Sequence, residues 1–164
     1  MNAREAITIA LQGTGGMLPM YLGDLSDADF LVRPAPSANH IAWQLGHLIA
    51  SEAQLIKGQV STAVYPEMPA GFDKQHGKET SAVEPPKGFA TKADYLSLFA
   101  KVREATVANL QKLSDADLDK TTTGPMAAYA PNVGAMFLLV SNHTLMHAGQ
   151  FTVVRRKLGK PVLF

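Results

Sequence analysis

Between Asn132 and Gly159 the sequence holds one helical period for about seven turns, and two histidines fall on its apolar side. At about 100° per residue, Met136, Val140, His143, His147, Gln150, Val154 and Leu158 form one stripe. His143 and His147 therefore project from one face, a single turn apart. Helical histidines four residues apart are common as ordinary hydrogen-bonded side chains, so spacing alone says little. Their place on the apolar seam says more, because two neighbouring buried imidazoles need partners for their ring nitrogens, and a shared cation satisfies both. The run is expected to start after Asn132 and to reach about Leu158, with Gly159 as its terminator and Pro161 just beyond.

Three further helical segments are expected. Residues 3 to 24 carry Ala6, Ile7, Ala10, Leu11, Leu18, Tyr21 and Leu22 on a helical period, interrupted by Gly13, Gly15, Gly16 and Pro19, which predict a kink or break. Ser37 is a candidate cap for a second helix running to Lys57, with Gly58 at a position that often needs a left-handed residue. Thr91 and Asp94 resemble a capping box for a third, whose face runs through Tyr95, Leu98, Phe99, Val102, Thr106, Asn109, Leu110 and Leu113. No stretch alternates apolar and polar residues as a half-buried strand would. The class is all-α, and four helices of this length make a four-helix bundle over residues 1–164 as a single domain.

The string Leu-Ser-Asp-Ala-Asp occurs at Leu25 to Asp29 and again at Leu113 to Asp117. Two related helical hairpins would explain the repeat; so would a common Ser-x-x-Asp cap on a short turn. Between Gly58 and Ala90, seven prolines and glycines, Pro66, Pro69, Pro85, Pro86, Gly71, Gly77 and Gly88, accompany the loss of any helical period. The segment reads as a long crossover between the second and third helices. Bundle connections usually need only about 2–8 residues, so a cover over the site and a passive connector are both open.

His47 supplies a third imidazole in the second helix. The most apolar arc there is Ile41, Leu45, Leu48 and Leu55, while His47 falls beside His40, Trp43, Gln44, Ser51 and Gln54. That face either lines a polar pocket with Trp43 as a wall or faces solvent. His40 is expected as a surface or capping-region residue, and His76 as an exposed loop histidine, with a fourth ligand or a lid role as its alternative. Glu52 lies about 140° from His47 by helical phase, so no carboxylate base stands out. Arg155 and Arg156 suit the negative end of the last helix dipole, with an anion anchor as the alternative.

Composition removes several classes of function. Lys and Arg total 15 against 14 Asp and Glu, scattered along the chain, so the electrostatic footprint of a nucleic-acid binder is missing. With no cysteine, disulfides and a protein thiol nucleophile are excluded, and a metal must take nitrogen and oxygen ligands. The longest apolar run, Ala135 to Val140, is far short of the roughly 20 residues of a membrane span. A soluble cytoplasmic protein is expected, acting on a small molecule.

The combination Trp43-x-x-Gly46-His47-Leu48 with His143-x-x-x-His147-x-Gly149-Gln150 resembles the DinB/YfiT-like superfamily of metal-dependent proteins, over almost the whole chain. The first Leu-Ser-Asp-Ala-Asp turn and the closing Arg-Arg-Lys-Leu-Gly fit as well. The resemblance implies a four-helix bundle with a long crossover, often dimeric, and a metal centre mapping onto His47, His143 and His147. It thereby turns His47 inward. Relatives include low-molecular-weight thiol transferases, a mycothiol-dependent isomerase group and members without known activity. The expectation is a divalent metal, zinc or nickel, that activates a low-molecular-weight thiol for transfer to an electrophile. A metal-dependent hydrolase and a non-catalytic metal-binding or stress-related protein are the alternatives. Trp43, Gln150 and Arg155 are the candidate cofactor-binding residues. A homodimer is expected because the Ile41, Leu45, Leu48 and Leu55 arc exceeds what the histidine-facing core consumes.

Overall fold

A computed structural model describes residues 1–163. Four long helices, α1 (Ala3–Leu22), α3 (Ile41–Lys57), α5 (Lys92–Gln111) and α7 (Val133–Lys157), are joined through one-turn helices α2 (Asp27–Phe30), α4 (Phe72–Gln75) and α6 (Asp115–Leu118). Among the described residues the β structure is limited to an isolated bridge between Thr121 and Asn132. The all-α expectation therefore holds. Around the bundle α1 packs on α5 and α7, and α3 packs on the same two. The long helices within each half of the chain, α1 with α3 and α5 with α7, lie diagonally, so simple hairpins are replaced by an arrangement in which each half of the chain packs against the other. The interface of α3 with α7 is the one that carries all three histidines.

Capping chemistry fixes several helix starts. Thr91 and Asp94 form the expected box, and Asn2 with Glu5 forms another. Both Leu-Ser-Asp-Ala-Asp strings become α2 and α6, capped by Ser26 with Asp29 and by Ser114 with Asp117. Local capping accounts for the repeat. At the C-terminus of α7, Gly159 takes φ +68° and Lys160 N donates to Arg155 O, with Pro161 beyond.

Other boundaries differ from expectation. Helix α1 runs unbroken through its glycines and Pro19, because Leu11, Thr14, Leu18, Tyr21 and Leu22 are all buried along its inner face. Tertiary packing overrides the local penalty. Ser37 does not cap α3. It sits in a turn at φ 65°, and His40 is the cap, its ring accepting from Trp43 N. Gly58 is right-handed at φ −65°, so it is not the left-handed terminator.

Helix α3 is buried on nearly every side, including Trp43, Gln44, Ala50 and Ala53 as well as Ile41, Leu45 and Leu48. The crossover covers what would otherwise be its outer face. Phe72 enters the core, Tyr65 Oη pairs with Thr106 Oγ1 at 2.9 Å, and the Asn109 side chain bonds both backbone atoms of Val64. The arc of Ile41, Leu45 and Leu48 is thus interior, and the argument from it to a dimer surface falls.

Two apolar clusters fill the bundle, one around Leu22, Leu45, Phe99 and Phe151, the other around Leu11, Ile56, Leu110 and Phe137. A polar layer separates them. Arg103 on α5 grips Glu52 on α3 with two bonds of 2.8 Å, and reaches Thr14 and the Leu11 carbonyl on α1 and Thr144 on α7. One guanidinium ties all four long helices. Every donor it directs into the layer has a partner, as a buried charge requires.

Candidate metal centre

His47 from α3 and His143 and His147 from α7 each offer a ring nitrogen, and these atoms all lie within 4.8 Å of one another. The Nε2 atoms of His143 and His147 are 3.2 Å apart. His147 is buried, and His47 and His143 are half-buried. Burial is the main reason the imidazoles stay neutral: His143 is pushed down to about 4 and His147 to about 3, with neighbouring histidines adding repulsion, and His47 is lowered too. Neutral imidazole is the form that donates a lone pair to a metal.

The supporting contacts set which nitrogen faces inward. Gln44 donates its Nε2 to Asn39 O at 2.7 Å, which fixes its amide and leaves Oε1 2.9 Å from His147 Nδ1. His147 must then donate from Nδ1, and its Nε2 is free to accept. Such an outer partner orients a metal-binding imidazole and raises its basicity. His47 stacks on Trp43 at 5.0 Å with the rings 6° from parallel, and the backbone of His76 bonds its ring. Trp43 is therefore a wall behind His47.

His76 departs from expectation, being buried and fully bonded. Its Nδ1 contacts Phe72 O at 2.8 Å and its Nε2 contacts Tyr95 Oη at 2.7 Å. The carbonyl can only accept, so Nδ1 carries the proton and Tyr95 donates to Nε2. The ring lies on Gly46, where a Cβ would fall 2.1 Å from its Cδ2. Glycine next to His47 is thus needed for the crossover to dock. His40 is also buried, against the surface expectation, although its capping role stands.

A cavity of about 600 Å³ opens beside the histidines between α3, α7 and the turn Pro125–Ala128, with His47 and His143 in its wall. That turn is set by the Thr121 to Asn132 bridge and by Thr122 Oγ1 donating to Ala130 O. Of the crossover, Gly58 and Gln59 line the cavity; Met68 to Lys78 do not, being anchored behind α3 by Phe72 and His76. Neither Gln150 nor Arg155 lines it. Gln150 is exposed, and Arg155 is bound to Asp24 and Tyr21 O near the chain end. Glu52 is held by Arg103, and no carboxylate of the described residues lines the cavity. Sequence reasoning passed over Gln44, whose signal was a polar residue amid the apolar positions of a central helix, and the turn carrying Met126 and Tyr129, which had none.

The donor set fits a borderline divalent metal. Ligand nitrogens around tetrahedral zinc stand about 3.3 Å apart, the separation that His143 and His147 already show, and the widest separation in the group would have to close from 4.8 Å. Held by three imidazoles, such an ion would keep a position for a further ligand.

Fold and site together define a helical-bundle protein with a three-histidine group that could hold a metal ion. The DinB superfamily profile matches residues 10–151, and the chain belongs to that superfamily. No curated protein matches its sequence. A crystal structure of a conserved protein from Enterococcus faecalis shares the fold, with a TM-score of 0.71 and 17% identity over 98% of this chain and 99% of that one. No helix among the described residues is long and apolar enough to cross a membrane.

Proposed function

We propose that the protein is a metal-dependent enzyme that activates a low-molecular-weight thiol for transfer to an electrophile. One divalent metal, zinc or nickel, would be held by His47, His143 and His147. The observation that carries this reading is the group of three neutral imidazoles, two of them, His47 and His143, in the wall of a cavity that no carboxylate of the described residues lines. Bound there, a metal supplies Lewis acidity that lowers the pKa of a thiol at an open position. The chain supplies the rest. Gln44 holds His147 with Nε2 inward, Trp43 and the His76 backbone hold His47, and the mainly apolar walls offer a surface for the electrophile. The nucleophile must come with the cosubstrate, since the chain has no cysteine.

Hydrolysis from the same group is less well supported, because attack by water is normally assisted by a nearby base, and Glu52 is committed to Arg103. A purely structural metal would more often be closed by a fourth protein ligand. The test is incubation of the metal-loaded protein with cysteine, coenzyme A and other small thiols plus 1-chloro-2,4-dinitrobenzene. The carbon–sulfur bond forms as chloride leaves, and the thioether absorbance gives the rate. A metal-dependent rate lost in His47→Ala supports the proposal. A rate equal to that of metal-free protein, or metal-dependent cleavage of 4-nitrophenyl acetate without thiol, would replace it.

A further inference from the structure

The cavity beside the histidines has a charge pattern that bears on what enters it. Its walls are Leu55, Met126, Tyr129, Met136, Leu139 and Met146, with the uncharged polar groups of Ser51, Gln54, Gln59 and Thr123 along one side. Among the described residues, no Asp, Glu, Lys or Arg lines it. An anionic substituent placed against these walls would lose hydration with no counter-charge to replace it. Arg155 cannot supply one, since its guanidinium is bound to Asp24 away from the cavity.

The volume, about 600 Å³, suits a compact organic molecule. Three methionines among the walls provide polarisable surface that adapts to irregular shapes and packs well against aromatic rings. Met146 is 56% exposed and Tyr129 is 75% exposed, which places both at the entrance. The turn that carries Met126 and Tyr129 is anchored at both ends by the Thr121 to Asn132 bridge, so the apolar wall on that side is preformed.

We infer that this cavity binds an uncharged, apolar, aromatic-sized molecule and discriminates against the same molecule carrying an anionic group. This rests on the proposed enzyme reading only in assigning the bound molecule the role of electrophile; the binding preference belongs to the walls. Any charge the site accepts would have to sit at the histidines themselves.

Two dyes with one ring skeleton test the preference: N-phenyl-1-naphthylamine, which is neutral, and 1-anilinonaphthalene-8-sulfonate. Both are titrated by fluorescence into metal-free protein, because a bound cation would itself attract the sulfonate. The neutral dye is expected to bind at least about tenfold more tightly, in line with the penalty for burying an unpaired anion. Met146→Lys, at an exposed position that tolerates a long side chain, should narrow or invert that ratio by about tenfold by giving the sulfonate a partner. Circular dichroism on the same sample establishes that the variant is folded. Equal or tighter binding of the sulfonate dye to the parent protein overturns the inference. So does a folded Met146→Lys protein with both affinities unchanged, which would put the dye elsewhere. Failure of thiol transfer leaves the dye ratio untouched, and failure of the dye ratio leaves the metal-dependent rate untouched.

Discussion

Replacing Arg103 by Met leaves the Glu52 carboxylate 3% exposed at the middle of the bundle with no cation to balance it. The other partners of the guanidinium are better placed. Thr14 Oγ1 still donates to Ala10 O, Thr144 Oγ1 to Val140 O, and the Leu11 carbonyl keeps its position within α1. The loss is therefore concentrated in one orphaned charge, and breaking a buried pair this way costs about 3–5 kcal/mol. For a chain of this length each kcal/mol lowers Tm by about 2–4 °C, so a drop of about 6–20 °C is expected. The assay is urea and thermal unfolding of Arg103→Met, Glu52→Met and the double variant. Once both charges are gone nothing is left unpaired, so the double variant should be more stable than Arg103→Met alone and lose much less than the sum of the single changes. Additivity to within about 0.5 kcal/mol would refute the claim that Glu52 and Arg103 depend on one another.

Gln44→Ala removes the acceptor that orients His147 and should weaken metal affinity by about 10–100-fold with little change in helicity, measured by competition with a chromogenic chelator. Gly46→Ala should destabilise the fold by about 1–3 kcal/mol in urea unfolding, because the new methyl displaces the His76 ring. It should also raise hydrogen exchange in residues 72–80 before it does so in α5. Part of the pH response comes from His40, whose folded pKa is pushed from 6.5 to about 4 by burial, beside contributions of the same sign from His47, His76, His143 and His147. The unfolded chain takes up the proton first, so the stability of metal-free protein is fully present above pH 6.5 and is lost as pH falls toward 4. The slope is up to about 1.4 kcal/mol per pH unit for this residue. His40→Asn keeps a capping acceptor and should flatten the slope between pH 7 and 5; an unchanged slope would remove His40 from the account.

The long helices were legible because their signals are local. The Thr91 and Asp94 box, the Asn132 start and the Gly159 terminator act within a few residues of themselves. The pair on α7 was legible for the same reason, one turn being a fixed geometry. His47 was ambiguous from periodicity because the face of α3 it shares with Ser51 and Gln54 borders an open cavity, while the crossover buries the other side through Phe72 and His76, so no polar stripe marks the solvent. His76 was misplaced on the surface, and the burial of the capping residue His40 went unseen, for the complementary reason. Their burial depends on Tyr95 and Phe89, distant in sequence, and a residue in a Pro/Gly-rich segment carries no pattern that reveals such partners. The cavity wall formed by Met126 and Tyr129 was likewise invisible, since it depends on a single bridge closing the turn ahead of α7.

X-ray absorption at the zinc edge, on protein loaded with one equivalent of zinc, tests the three-histidine centre most directly. The account predicts a first shell at about 2.0–2.1 Å with the multiple-scattering pattern of three imidazoles and the remaining position taken by a lighter ligand. His47→Ala should reduce the imidazole count by one. A shell of oxygen ligands with no imidazole scattering, or an imidazole count unchanged in His47→Ala, would contradict it.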